Sequence, residues 1–509
     1  MIFINTATNS TGLFKPFFPI SIPYGLGYLM GELRSEGIHF SFIDQQIVSN
    51  VFKDMDSLLI NHTKPYVFAI STLTEALSQA NKISSKLKKL YPESVVIFGG
   101  IHPSALPEEV LKNNPNCDYV FLGEAETEIV NIYNKLKSGN DLKDQKGIAY
   151  RQEDEIVINQ SAEILKNINT LSKFPYDLFI PYKKYNLAHI ISSRGCPHNC
   201  SFCCVKVVGR RNYRFKSAAE TVKELECLAT ECGQKHISFF DDNFLANNKR
   251  IEDLCNEISK SEKLKSVTYS FQARTRDMNE EILKLMYNTG FNAVFFGIET
   301  VSEKLLKQIG KDESIEEISE AIKMAQKIGF KVMANFLFCL PNETRIDRTA
   351  CVNFALEHNI DLVKFNNVVP YPGTQMYEDL LSQNKLNIMP DYSNFNSQEV
   401  LVRSVFKKRN FPYVPDNSVA YGVEKEIMFA YFRYYFRFKM ISKILKQKNW
   451  GDAIFHSGDS FISKLKKTPA FILLLIDISF KFVMMFFSVF RKNGIKFKDI
   501  LNCFVKFFN

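Results

Sequence analysis

The first 195 residues contain one cysteine, Cys117, so this part of the chain can build neither a disulfide framework nor a cluster site of its own. The start, Met1-Ile-Phe-Ile-Asn-Thr, has no basic segment ahead of an apolar one and reads as a first strand rather than an export signal. With eleven cysteines in the whole chain and no export signal read at its start, a reducing cytoplasm is expected. A basic excess is missing from most of the sequence. Residues 401–509 hold 20 Lys and Arg against 7 Asp and Glu, a local +13, which leaves residues 1–400 at −4 of the overall +9. An enzyme with a basic nucleic-acid groove is thereby disfavoured, and no nucleic-acid partner is expected. Uncharged runs of membrane length are missing as well. Residues 471–490 are long enough to span a bilayer, yet they carry Asp477 and Lys481 one helical turn apart near their middle, where charge is costly.

What is present is concentrated in a short stretch. Residues 191–203 read Ile-Ser-Ser-Arg-Gly-Cys-Pro-His-Asn-Cys-Ser-Phe-Cys, which sets Cys196, Cys200 and Cys203 in a CxxxCxxC triplet behind an expected strand. Three thiolates are one fewer than a closed [4Fe-4S] site takes, so a cluster held here exposes one iron. A structural zinc site would need a fourth ligand from His198 or from the distant His236. Three thiols packed as core on one short loop containing Gly and Pro is the weaker reading. Cys204 is read as a bystander thiol.

Around this triplet, 509 residues at 46% hydrophobic and 23% charged suffice for two or three folded cores. Over residues 1–143, short apolar runs alternate with helical patterns, the signature of a doubly wound α/β sheet. Strands are expected at 1–5, 39–43, 66–71, 94–98 and 119–122, with helices at 24–37 and 75–91. Ligands of such sheets lie beyond the carboxyl ends of the strands, which here carry Ser71-Thr-Leu73, Gly99-Gly-Ile-His-Pro103 and Gly123-Glu-Ala-Glu126. Residues 144–184, with a hairpin-like stretch at 147–158 and then Pro175 and Pro181, read as a connector. Residues 185–400 alternate strand and helix again, as in a parallel barrel. Its strand ends carry Asp241 and Asp242, then Arg274 and Arg276, then Glu299, then Phe336-Leu-Phe-Cys-Leu-Pro-Asn-Glu-Thr344 and Val368-Val-Pro-Tyr-Pro-Gly-Thr374. Singly, each has a plainer reading: Asp241 and Asp242 as helix caps, Glu299 as an ion-pair partner, Arg274 and Arg276 as solvating charges.

Taken in order, these residues resemble the radical S-adenosylmethionine (radical SAM) enzymes that carry an N-terminal cobalamin-binding domain, over about residues 1–400. The resemblance implies a Rossmann-like domain, a partial (β/α)6 barrel and a helical C-terminal region over 401–509. It implies a [4Fe-4S] cluster on Cys196, Cys200 and Cys203 whose free iron is chelated by SAM. Phe202, Asp241, Asp242, Arg276 and Glu299 would contact SAM. Ser71, Leu73, Gly99, Gly100, His102 and Glu124 would line a cobalamin site, and glycines there let backbone approach a flat macrocycle. Two departures from the family pattern stand out. The DxHxxG loop that supplies a cobalt ligand is absent, since Asp44-Gln-Gln46 offers no imidazole, and Cys339 stands where glycine is usual.

The chain is most like the branch of magnesium-protoporphyrin oxidative cyclases and hopanoid methylases. That implies radical methylation of an unactivated carbon on a hydrophobic or lipid-like substrate, with oxidation, cyclisation or carbon-carbon coupling as the alternative. A non-catalytic cofactor sensor would leave the barrel motifs without a purpose. Methylthiolation is not expected, because Cys117 alone cannot ligate an auxiliary cluster. A flavodoxin or ferredoxin is the expected reductant. For the basic, aromatic tail, a helix lying on the inner membrane face, packing on the barrel and a span all remain open, and the flanking charges favour the first.

Overall fold

The computed structural model describes residues 1–8, 20–48, 50–398, 400, 410–437 and 479–480. Seven strands form the first sheet, in the order Ser41–Asp44, Ile2–Asn5, Val67–Ser71, Val95–Gly99, Tyr119–Phe121, Ile148–Gln152, Glu155–Ile158. The first five are parallel and lie where their apolar runs predict. Their order reverses between Ile2–Asn5 and Val67–Ser71, which places a ligand crevice at the carboxyl ends on either side. The hairpin expected in the connector instead pairs antiparallel with Tyr119–Phe121 and completes this sheet. Ile148 and Ala149 are fully buried, one in the core on each face of the sheet, so burial on both sides holds the hairpin to the sheet.

The helix Tyr24–Ser35 buries Leu26, Tyr28, Met30 and Leu33 against the sheet. On the other face, Leu77–Leu90 buries Leu77, Ala80, Ile83 and Leu87 at helical spacing. Each large side chain so buried contributes about 1.5–3 kcal/mol relative to exposure.

The second sheet has six parallel strands in sequence order: His189–Ile190, His236–Phe239, Thr268–Ala273, Phe291–Glu299, Lys331–Phe338 and Leu362–Asn367. Its first and last strands are not paired, so the barrel is partial. One face carries Phe239, Phe271, Phe296, Phe336 and Phe365, buried beneath the helices. Among those helices, Ile315–Ile328 starts at a Ser314/Glu317 capping box and stops at Gly329, whose φ is +117°. The opposite, inner face is polar: His236 hydrogen-bonds Thr268 and Ser270 at 2.9 and 3.1 Å, and Asn366 donates to Asn335 at 2.7 Å.

Residues beyond the barrel finish both units. The Tyr392 hydroxyl reaches both oxygens of Glu109 at 2.9 Å, and Tyr392 and Phe395 are buried in the core of the first sheet. The helix Ala420–Tyr435 covers the last barrel strand. Its Tyr435 and Tyr431 hydroxyls accept the N–H groups of Val363 and Phe365 at 2.9 and 3.0 Å, satisfying an edge that would otherwise be open. The described part of the aromatic tail therefore packs on the barrel. The rest of the tail, residues 471–490 included save 479 and 480, lies outside the described residues. Among the described residues no helix is long and apolar enough to cross a membrane.

Candidate functional site

The cysteine triplet sits on the loop between two short antiparallel strands, Ser193–Arg194 and Arg214–Phe215. Gly195 opens the loop at φ +80°, and a Cβ there would come within 2.2 Å of the Asn212 carbonyl oxygen, so only glycine fits. The loop is tied to the barrel from outside. Ser201 N–H donates to the Ile309 carbonyl at 2.9 Å, and Met376 N–H donates to the Ser201 carbonyl at 2.9 Å.

Cys196, Cys200 and Cys203 are free and half-buried. Burial raises all three thiols, that of Cys203 to about 12. Arg274 and Lys311 pull Cys200 back toward the thiolate. These two cations belong to a buried network that sequence reasoning missed in part. Glu313 accepts from Arg274 and Thr275 at 2.8 Å each and pairs with Lys311 at 3.3 Å. Lys311 and Glu313 carried no motif, and only their burial marks them.

Among the described residues, no three His, Cys, Asp or Glu side chains converge on one metal ion. A cubane spreads its thiolates over separate irons, so the free triplet fits a cluster better than zinc. The zinc reading also lacks its fourth ligand. His198 lies 3.6 Å from the Asp277 carboxylate, and His236 is engaged inside the barrel.

The adjacent acids part company. Asp241 is buried beneath the loop, accepting from Ser192 N–H and from the Ser192 and Ser193 hydroxyls at 2.7 Å, and pairing with Arg250 at 3.0 Å. Asp242 accepts from Gly195 N–H at 2.8 Å and faces an open cavity. Water reaches its side chain, yet the surrounding protein raises its carboxyl above the usual range. Glu299 ends its strand at φ +68°. Its carboxylate accepts from Asn335 at 3.0 Å and folds back over Gly297, where a Cβ would stand 2.5 Å from Oε1. Burial raises it, and Lys311 opposes the rise. Phe202 is partly buried against the barrel core. Arg276 stands apart from this group, paired with Asp312 at the surface; Arg274 is the arginine turned toward Cys200. Cys339 has φ +71°, which accounts for the usual glycine, and its N–H donates to Glu343 at 2.5 Å.

The cavity beside Asp242 measures about 490 Å³ and lies between the two sheets. One wall is the carboxyl end of the first sheet, with Ser71, Gly99, Gly100 and Gly123; the other is the cysteine loop, with Arg194, Gly195 and Cys204. A Cβ on Gly99 would meet nothing within 4 Å, and one on Gly123 only the Val208 carbonyl at 4.0 Å. The wall is thus bare backbone facing largely apolar space, a surface suited to a flat macrocycle.

Three residues expected to line a cobalamin site are occupied otherwise. Glu124 reaches the cavity but spends its carboxylate on Arg214, with two contacts of 2.7 Å. Its neighbour Glu126 pairs with Arg194 at 2.8 Å, and Arg194 lies over the Tyr28 ring at 4.6 Å. His102 is buried edge-on to Tyr392, outside the cavity lining, with both ring nitrogens unpartnered. Its imidazole is lowered to about 4 by burial. The Leu73 side chain is exposed.

Two family models match the chain: the B12 binding domain over residues 17–132 and the radical SAM superfamily over residues 190–355. The chain belongs to the cobalamin-binding radical SAM family. An uncharacterized methyltransferase of Pyrococcus horikoshii is 29% identical over 426 residues, covering 83% of this chain and 89% of that one. The anaerobic magnesium-protoporphyrin IX monomethyl ester cyclase of Cereibacter sphaeroides is 25% identical over 387 residues, covering 74% of this chain and 62% of that one. The fold of the radical SAM methyltransferase TsrM from Kitasatospora setae, solved with cobalamin and a [4Fe-4S] cluster, superimposes with a TM-score of 0.65 at 18% identity, over 85% of this chain and 88% of that one. This cobalamin-binding radical SAM protein is an enzyme of the methyltransferase-like kind, whose cofactors are a [4Fe-4S] cluster, SAM and cobalamin.

Proposed function

We propose that this enzyme methylates an unactivated carbon. A single observation carries the reading: the glycine-walled cavity of the first sheet opens directly onto the cysteine loop. Bound together, the three cofactors would supply a 5′-deoxyadenosyl radical for hydrogen abstraction and a methyl group for transfer.

The chain's own residues hold and orient. Cys196, Cys200 and Cys203 ligate the cluster, with Arg274 and Lys311 favouring the thiolate of Cys200. Phe202, Asp242 and Glu299 contact SAM. Asp241 supports the loop from below rather than touching SAM. Ser71, Gly99 and Gly100 border the cobalamin, while Glu124 acts as a clamp on Arg214. The first unit runs through the hairpin ending at Ile158, and the barrel follows from about residue 185. A flavodoxin- or ferredoxin-type reductant supplies the electron. The ten described cysteines are all free, which fits a reducing cytoplasm.

Oxidative cyclisation without methyl transfer is the second reading, supported by the likeness to the cyclase of Cereibacter sphaeroides. Growth on methyl-deuterated methionine separates the two. Extracts of cells with the active gene should contain a compound bearing one labelled methyl that is missing without it. A product differing only by loss of hydrogen would favour the second reading.

A further inference from the structure

The inner face of the barrel holds cations that nothing in the radical chemistry uses. Lys364 stands midway along the last strand, level with Asn335 of its neighbour. Its ammonium lies 5.4 Å from the centre of the Phe295 ring. Phe295 alternates with Val294 and Phe296, which are fully buried under the helices, so it and Lys364 both point into the lumen. Among the described residues Lys364 has no carboxylate within ion-pair distance. Lys331, at the foot of the fifth strand, is likewise unpaired among the described residues.

The two lysines lie on one face of the sheet, since Lys331 precedes Asn335, the neighbour of Lys364, by four positions on its strand. Burial and then Lys331 lower the basicity of His236, although two strands separate theirs in the sheet, so His236 and Lys331 open onto the same lumen. The only described carboxylate on the inner strand positions is Glu299, at the top, already bonded to Asn335. The remaining polar groups there include the hydroxyls and amides of Ser238, Thr268, Ser270, Asn335 and Asn366, with the His236 imidazole among them. The Lys364 side chain is open to water, so its ammonium is free to meet an anion that arrives with a ligand and displaces that water. The protein around it nevertheless depresses Lys364 below the usual lysine value.

We propose that the barrel lumen selects an anionic substrate, a carboxylate or phosphate carried on an apolar body, with Lys364 as the residue that receives the anion. The proposal rests on the radical SAM reading, which makes the lumen below the cluster the place where a substrate carbon must lie. Phe295, half-buried beside Lys364, and Leu362, exposed on the same face, would take the apolar body. The charge in the lumen then narrows the hydrophobic or lipid-like class expected from the sequence to amphiphiles with an acidic group.

The test uses the full-length protein loaded with cluster, SAM and cobalamin, and a pair of probes matched in shape, 2-naphthoate and its neutral isostere 2-naphthamide. Isothermal titration should give naphthoate at least about a tenfold advantage, the size of one charge-assisted hydrogen bond. Lys364→Met should abolish the advantage, and Lys364→Arg should keep it, which separates loss of charge from a folding defect. Equal binding of the two probes, no binding of either at millimolar concentration, or an advantage that survives in Lys364→Met would overturn the proposal. Formation of 5′-deoxyadenosine by the same wild-type preparation tests the radical reading on its own. Its absence would count against that reading and not against the charge preference.

Discussion

Glu124 and Arg214 stand 90 positions apart, and their carboxylate and guanidinium meet through two 2.7 Å contacts with both side chains more than nine-tenths buried. One belongs to a strand end of the first sheet; the other closes the strand pair that frames the cysteine loop. Together with Glu126 and Arg194, this pair ties the strands that frame the cysteine loop to the carboxyl end of the first sheet. Arg214→Met leaves the buried Glu124 carboxylate with only the longer 3.7 Å contact to Arg194 and should cost about 3 kcal/mol, with iron content falling because the loop is released. Adding Glu124→Gln should recover part of that loss. Denaturant unfolding and iron analysis of the three variants check both points.

Gly195→Ala should spare the fold and lose the cluster. A Cβ there meets backbone at 2.2 Å rather than the end of a flexible chain, so the loop itself must move. Far-ultraviolet circular dichroism should match wild type, while anaerobic reconstitution yields little iron. Full iron occupancy would show that the loop tolerates the shift.

Asp241 and Asp242 are neighbours with separate tasks, and substitution should divide them. Asp241→Asn disrupts a buried pair with Arg250 and should lower stability by about 3 kcal/mol. Asp242→Asn should leave stability within about 1 kcal/mol and weaken SAM binding about tenfold, the worth of a hydrogen bond to a charged group. Unfolding curves and SAM titration distinguish the two outcomes.

How much of this was legible from the sequence depends on the range of the forces involved. The five parallel strands follow from apolar runs that each bury their own side chains, and the cysteine spacing is local chemistry. The hairpin at 148–158 looked like a connector because its place at a sheet edge depends on pairing with Tyr119–Phe121, which no local pattern announces. Glu124 invited a ligand role because its partner Arg214 lies 90 positions away. Asp241 and Asp242 cannot be told apart in a linear string, since which of them turns inward is decided by Ser192, Ser193 and Arg250. The packing of Phe429 to Arg437 is hidden for the same reason. Tyr431 and Tyr435 look like interfacial aromatics until the edge of the last barrel strand is there to receive their hydroxyls.

Burial of His102 has a consequence for acid stability. Its imidazole stays neutral in the folded protein down to about pH 4, whereas an exposed histidine takes up a proton near 6.5. Between those values the unfolded chain binds more protons, so stability rises with pH and is lost as pH falls through the window. At pH 5.0 this one site should make the protein about 2 kcal/mol less stable than at pH 7.5. His102→Leu should remove this one share of the difference in denaturant titrations at the two pH values, while His62 and His189, also lowered to about 4 chiefly by burial, keep theirs; an unchanged difference would place the acid sensitivity elsewhere.

The most direct test of the central claim is production of 5′-deoxyadenosine from SAM by the anaerobically reconstituted, chemically reduced protein. The account predicts product from wild type, and none from a variant in which Cys196, Cys200 and Cys203 are all Ala and which has lost the iron-sulfur chromophore. No 5′-deoxyadenosine from wild type carrying a full cluster, or equal amounts from the triple variant, would contradict it.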